Sequence, residues 1–297
     1  MRSLRALVPL LVLAAACSSS AGTGFGGSDA GDDPKPDTEL VLRFSYEGGF
    51  VPAEFRLTNI PVVSVYADGR VIVQGAQIEI YPPPAMTGLF QRTLSEQGLS
   101  ELRRAAVEAG LDGPDRRYDY PLVADAADSV FIYVDEAGER HEMRAYALDI
   151  SEGDQSLPGE PDERTPEAIS AEDREARRKL AEFQAKITDL GSWLGDEVGP
   201  ETSYEPHALR LFVKDYQGDP QVPQQPRDWP LDTPLASFGE TFGTFGYRCG
   251  TVEGEAKAKL EAELRNANTL TPWVDGDAQF NLVVRPLLPD ESGCPQD

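Results

Sequence analysis

The chain has 297 residues, of which 40% are hydrophobic, enough for one large domain or two small ones. Its 51 acidic residues outnumber 27 basic ones, and the resulting charge of −24 repels phosphate backbones and anionic headgroups alike. That argues against nucleic acid as a partner, and any hold on a membrane has to come from something other than charge. An excess of this size is also what keeps a crowded surface protein soluble.

The N-terminus carries the strongest signal. Met1 to Arg5 is a short basic segment, Ala6 to Leu13 is an apolar run broken only by Pro9, and Ala14-Ala15-Ala16 are small residues that suit a cleavage site. The apolar run is too short to span a bilayer, so residues 1–16 read as a signal peptide. Cys17 follows at once and resembles the lipobox cysteine of bacterial lipoproteins, whose thiol takes a diacylglyceryl group; Ala14 stands where that pattern usually has Leu. Residues 17–37, rich in Ser, Gly, Asp and Pro, read as a flexible tether. Lipidation at Cys17 predicts attachment to the extracytoplasmic face of a bacterial membrane, because two acyl chains anchor stably where one is marginal. It leaves Cys249 and Cys294 as a candidate disulfide in a compartment that permits one, with two free thiols as the alternative.

Leu40, Leu42, Phe44 and Tyr46 alternate with Val41, Arg43 and Ser45, which predicts a strand with one dry face and one wet face, ended by Gly48-Gly49. Two β-branched runs, Val62 to Tyr66 and Val71 to Gln74, flank Asp68-Gly69, which predicts a hairpin with a type I′ turn. Pro82-Pro83-Pro84 closes that sheet segment. Ser95 caps a helix running to about Ala109, stopped by Gly110, with Leu99, Leu102 and Ala106 on one face. A second hairpin, Ser129 to Val134 and Glu139 to Leu148, turns around Asp135-Glu136-Ala137-Gly138. Ser151 to Glu167 reads as an acidic, exposed loop. Ser170 to Asp173 resembles a capping box, and Leu180, Phe183, Ile187, Leu190 and Leu194 recur at steps of three and four, so one amphipathic helix is expected to pack across the sheet. Further on, Leu209, Leu211 and Val213 suggest a strand and Gly218 to Pro234 a loop. A short strand follows around Cys249, then a helix from about Glu253 to Asn268 and a last strand from Phe280 to Val284. The sum is an α+β fold of mostly antiparallel sheet with about three helices packed on it, divided into a 38–200 module and a smaller 205–297 module that holds the disulfide.

No residue pattern here carries a catalytic, cofactor-binding or metal assignment. Gly22 to Gly27 matches G-x-G-x-x-G by spacing but lies in the tether, without the strand and helix that aim amides at a pyrophosphate. The two histidines, His141 and His207, lie far apart and have no cysteine partners, so each reads as a surface or packing residue. Gly191 to Gly195 lacks the nucleophile-elbow spacing. Asp119, Asp125 and Asp128, beside Tyr118 and Tyr120, suit turns better than a cation, and the acids from Asp149 to Glu163 fit no EF-hand. Trp193, Trp229 and Trp273 read as packed residues before they read as sugar platforms.

The segments Phe50-Val51-Pro52, Pro61 to Ile72, Thr271-Pro272-Trp273 and Arg285 to Cys294 resemble a family of uncharacterised actinobacterial lipoproteins, over about residues 40 to 294. That resemblance implies an envelope address and brings no activity, cofactor or catalytic residue. The expected function is a non-enzymatic binding or scaffolding module, held to the membrane by its lipid and facing an envelope protein or polysaccharide. The alternative is a wall-polymer hydrolase that works through paired carboxylates.

Overall fold

A computed structural model describes residues 39–75, 80–121, 123–150, 169–243 and 246–295. The expected signal peptide, Cys17, the tether and the 151–167 loop lie outside them. The described residues open with β1 (Leu40–Gly48), α1 (Ala53–Thr58), β2 (Val63–Tyr66), β3 (Arg70–Gln74), β4 (Leu89–Thr93) and α2 (Glu96–Glu108). Next come β5 (Arg116–Tyr118), β6 (Ala127–Val134), β7 (Arg140–Tyr146), α3 (Ala171–Thr188), α4 (Leu190–Leu194) and β8 (Thr202–Ser203). The rest is β9 (Ala208–Asp215), β10 (Arg227–Asp228), β11 (Glu240–Phe242), β12 (Tyr247–Glu253), α5 (Gly254–Leu264), β13 (Trp273–Asp275) and β14 (Ala278–Pro286).

The strands make two sheets, ordered β5-β7-β6-β1-β2-β3-β4-β8 and β10-β13-β14-β9-β12-β11. All neighbours are antiparallel except β5 with β7 and β10 with β13. The architecture is α+β, and α2, α3 and α5 are its long helices, of 13, 18 and 11 residues. No helix among the described residues is long and apolar enough to cross a membrane. The sheets divide between Ser203 and Ala208, within one compact unit that runs from Pro36 to Asp297.

β1 has no wet face. It is a central strand, and a bulge between Leu40 and Leu42 sends Val41 into the same core as Leu42 and Phe44. On that face α2 and α3 supply Leu102, Ala106, Leu180, Phe183 and Ile187. The other face carries Tyr66, Ile72 and Leu89, covered by Tyr204 and Leu288. The second sheet is likewise covered twice: α5 packs Leu260 and Leu264 on Leu209, Leu211 and Val213, while Phe212 and Cys249 on the reverse meet Leu57 of α1.

Two local expectations are corrected. The Asp68-Gly69 turn is not type I′, because Gly69 alone of the pair takes a positive φ, +85°. The loop therefore has a left-handed glycine after an ordinary turn. A Cβ on Gly69 would lie 2.6 Å from the Leu94 carbonyl, so glycine also admits the neighbouring chain. The amphipathic helix expected to run through Leu194 breaks at Asp189, whose side chain accepts from the Ser192 amide at 3.2 Å and starts α4 afresh. Ser95 and Ser170 cap α2 and α3 through the amides of Gly98 and Asp173.

Candidate functional site

Strand directions place several long connections at one end of the larger sheet. β1 runs out at Gly48 opposite Ala127, the first residue of β6. β2 begins at Val63 opposite Phe44 and Val73, and Gln74 at the end of β3 pairs with Leu89 at the start of β4. The 49–62 and 75–88 connections therefore leave the sheet at the same end, while Leu40, where the chain enters, lies at the other.

These two connections carry four of the most exposed large apolar side chains among the described residues: Phe50 at 93%, Tyr81 at 72%, Phe55 at 54% and Ile80 at 53%. The backbone beneath them is fixed. Gln74 Nε2 donates to the Ile60 carbonyl at 2.5 Å, Asn59 Nδ2 donates to the Tyr46 carbonyl at 2.8 Å, and Arg285 Nε donates to the Asn59 carbonyl at 3.1 Å. The Thr269 amide holds Pro83 through its carbonyl at 3.0 Å, and Leu57 roots α1 in the core around Phe212. These aromatic and aliphatic groups are therefore exposed on backbone that the fold has already ordered.

No family model, curated protein or solved structure matches the chain. The site therefore rests on its own chemistry.

The C-terminal segment named in the sequence, Arg285 to Cys294, is a strap. Arg43 of β1 donates to both oxygens of Asp290, at 2.7 and 3.0 Å, and the Tyr66 hydroxyl donates to the same carboxylate at 2.8 Å. Arg285 grips Glu291 in a second fork, at 2.5 and 2.7 Å. Arg210 donates to the Gly293 carbonyl at 2.6 Å, and Cys294 is joined to Cys249 of β12 by a disulfide. Burial alone would raise the Glu291 carboxyl, but hydrogen bonding and charge from Arg285, with the Leu288 amide, hold it below its ordinary range. The Tyr66 hydroxyl is pushed up, first by burial and then by the Asp290 charge. Both arrangements fix the strap.

The other candidates are dispersed. Asp119 and Asp128 both pair with Arg117, at 2.9 and 2.8 Å, while Asp125 is exposed in the following loop. Among the described residues, the carboxyls whose proton affinity is displaced, namely Glu101, Asp135, Glu142, Glu175, Asp189 and Glu291, are displaced downward. A paired-carboxylate hydrolase needs one acid displaced upward. Trp229 and Trp273 are buried against each other edge to face at 6.1 Å, and Trp193 is half-buried beneath Lys186. His207 is exposed at the head of β9, whereas His141 is buried in β7 beside the turn acids Asp135 and Glu139.

Sequence reasoning singled out none of Phe50, Phe55, Ile80 and Tyr81. Phe50 stood inside a segment of family resemblance, but isolated apolar residues in loops have no periodicity to mark them. Their common end of the sheet appears only with the strand order.

Proposed function

We propose that the chain is an extracytoplasmic lipoprotein, cut before Cys17 and held to a bacterial membrane by acyl chains on that cysteine. It serves there as a non-enzymatic binding or scaffolding module of the envelope. The leader and the tether support the address, and a disulfide between Cys249 and Cys294 suits an oxidising compartment. The observation that carries the binding role is the exposed set Phe50, Phe55, Ile80 and Tyr81 at one end of the larger sheet. Aliphatic and aromatic groups together suit an apolar protein surface; a sugar polymer would be stacked by aromatics alone.

The test is a pulldown from detergent-solubilised envelopes, comparing the native protein with a Phe50→Ser/Tyr81→Ser variant, with sedimentation on insoluble wall polymer run beside it. The reading predicts a discrete protein partner retained by the native chain and lost by the variant. Equal capture by both would contradict it. Binding only to the wall polymer would move the ligand class to polysaccharide.

A further inference from the structure

The β6–β7 turn brings together three side chains that sequence reasoning kept apart. Asp135 N donates to the Glu139 carbonyl at 3.0 Å, and Gly138, with φ +81°, donates to the Asp135 carbonyl at 3.1 Å, closing the turn. Tyr133 pairs with His141 across the hairpin, so Asp135, two residues on from Tyr133, is the diagonal neighbour of His141 on the same face.

Asp135 and His141 are oriented before anything binds, while the Glu139 side chain stands exposed beside them. Asp135 Oδ1 accepts from the amides of Ala137 and Glu139, at 2.9 and 2.8 Å, which turns Oδ2 toward His141. The His141 ring is 8% exposed and lies against Tyr133, with centroids 6.4 Å apart. Its Nδ1 stands 2.9 Å from the Gly113 carbonyl. A carbonyl only accepts, so Nδ1 carries a proton and Nε2 is the ring atom turned toward the turn acids. That buried Nε2 has no hydrogen-bond partner, and its nearest charged neighbour is Asp135 Oδ2 at 3.7 Å, beyond hydrogen-bonding range. A buried ring nitrogen without a partner costs free energy unless something bridges it to the carboxylate it faces. Arg103, which reaches this turn from α2, is engaged on the Val134 carbonyl at 3.2 Å.

We propose that Asp135, Glu139 and His141 form a binding site for a divalent first-row cation, with zinc as the ion of best fit. One ligand atom from each lies within 4.8 Å of the other two. A tetrahedral zinc at ordinary N and O bond lengths sets its ligand atoms about 3.4 Å apart, so small side-chain adjustments close the site. A ligating imidazole whose other N–H is donated to a backbone carbonyl is the usual outer-shell arrangement at metal sites. Three protein donors leave a fourth position for water or a partner's donor, and the ion clips the hairpin turn shut.

The test is a titration of zinc chloride into the full chain carrying Cys17→Ala, so that no free thiol competes, with the two histidine rings followed by nitrogen-15 NMR. One equivalent should bind at micromolar concentration or below, moving the His141 resonances and leaving His207 unmoved. Asp135→Asn keeps the turn acceptor and Glu139→Gln changes a side chain on the exposed turn. Each should weaken binding at least about tenfold and abolish the zinc-induced rise in melting temperature. His207→Gln should bind as the parent does. The proposal is overturned if zinc is not taken up, if uptake moves His207 instead, or if uptake survives both substitutions. A His141 ring protonated on both nitrogens at neutral pH and indifferent to zinc would overturn it too, by showing a proton where the metal is placed.

Discussion

Two arginines tie the C-terminal strap to the sheets. Arg43 on Asp290 and Arg285 on Glu291 are half-buried to buried forks, and each neutralises an acid that the fold would otherwise have to desolvate alone. Arg43→Met should cost about 2 kcal/mol in urea denaturation, less than a fully buried pair because both partners keep some contact with water. The double variant Arg43→Met/Asp290→Leu should recover part of that loss; no recovery would show that the charges do not act on each other. Glu291 gives a pH prediction whose sign follows from linkage. Its carboxyl is held below the ordinary 4.5, so the stability it contributes is present above that pH and lost as the pH falls through its folded value. Denaturation midpoints should drop on acidification below about pH 4.5, and more steeply in the native chain than in Glu291→Gln. Parallel curves would remove Glu291 from the acid response.

At the scale of elements, the tight turns and the strap set the register. Gly69 combines a φ of +85° with a 2.6 Å approach from the Leu94 carbonyl, so Gly69→Ala should destabilise the protein by about 1–3 kcal/mol. An unchanged melting temperature would mean that the hairpin and β4 shift freely. The Cys249–Cys294 bridge closes a separation of 45 residues, and the Cys249→Ser/Cys294→Ser variant should lose about 2–4 kcal/mol. The elements that the sequence made legible are those with a periodic signal and a chemical stop. α2 lies between Ser95 and Gly110, α3 follows Ser170, and both hairpins turn on glycine. β4, β5, β8, β10, β11 and β13 were missed, because strands of two to five residues are fixed by partners distant in sequence. The break at Asp189 was missed because an apolar period of three and four continues across it, while the side chain works locally on Ser192.

On the scale of the whole molecule, two sheets covered on both faces hold the core of the described residues and leave a few large apolar side chains exposed at one end. The sequence marked the buried tryptophans and the cysteines, since spacing and neighbouring residues point to them. It was silent on Phe50 and Tyr81, which share one end of the sheet only through strand direction, and on Asp135 with His141, which meet only through cross-strand pairing. The proposed function depends on where the N-terminus is held. Intact-mass measurement of the protein taken from native envelopes tests this most directly. The expected chain begins at Cys17 and carries the added mass of acyl chains on that residue. A chain that keeps residues 1–16, or one that begins elsewhere with an unmodified thiol at Cys17, would contradict it.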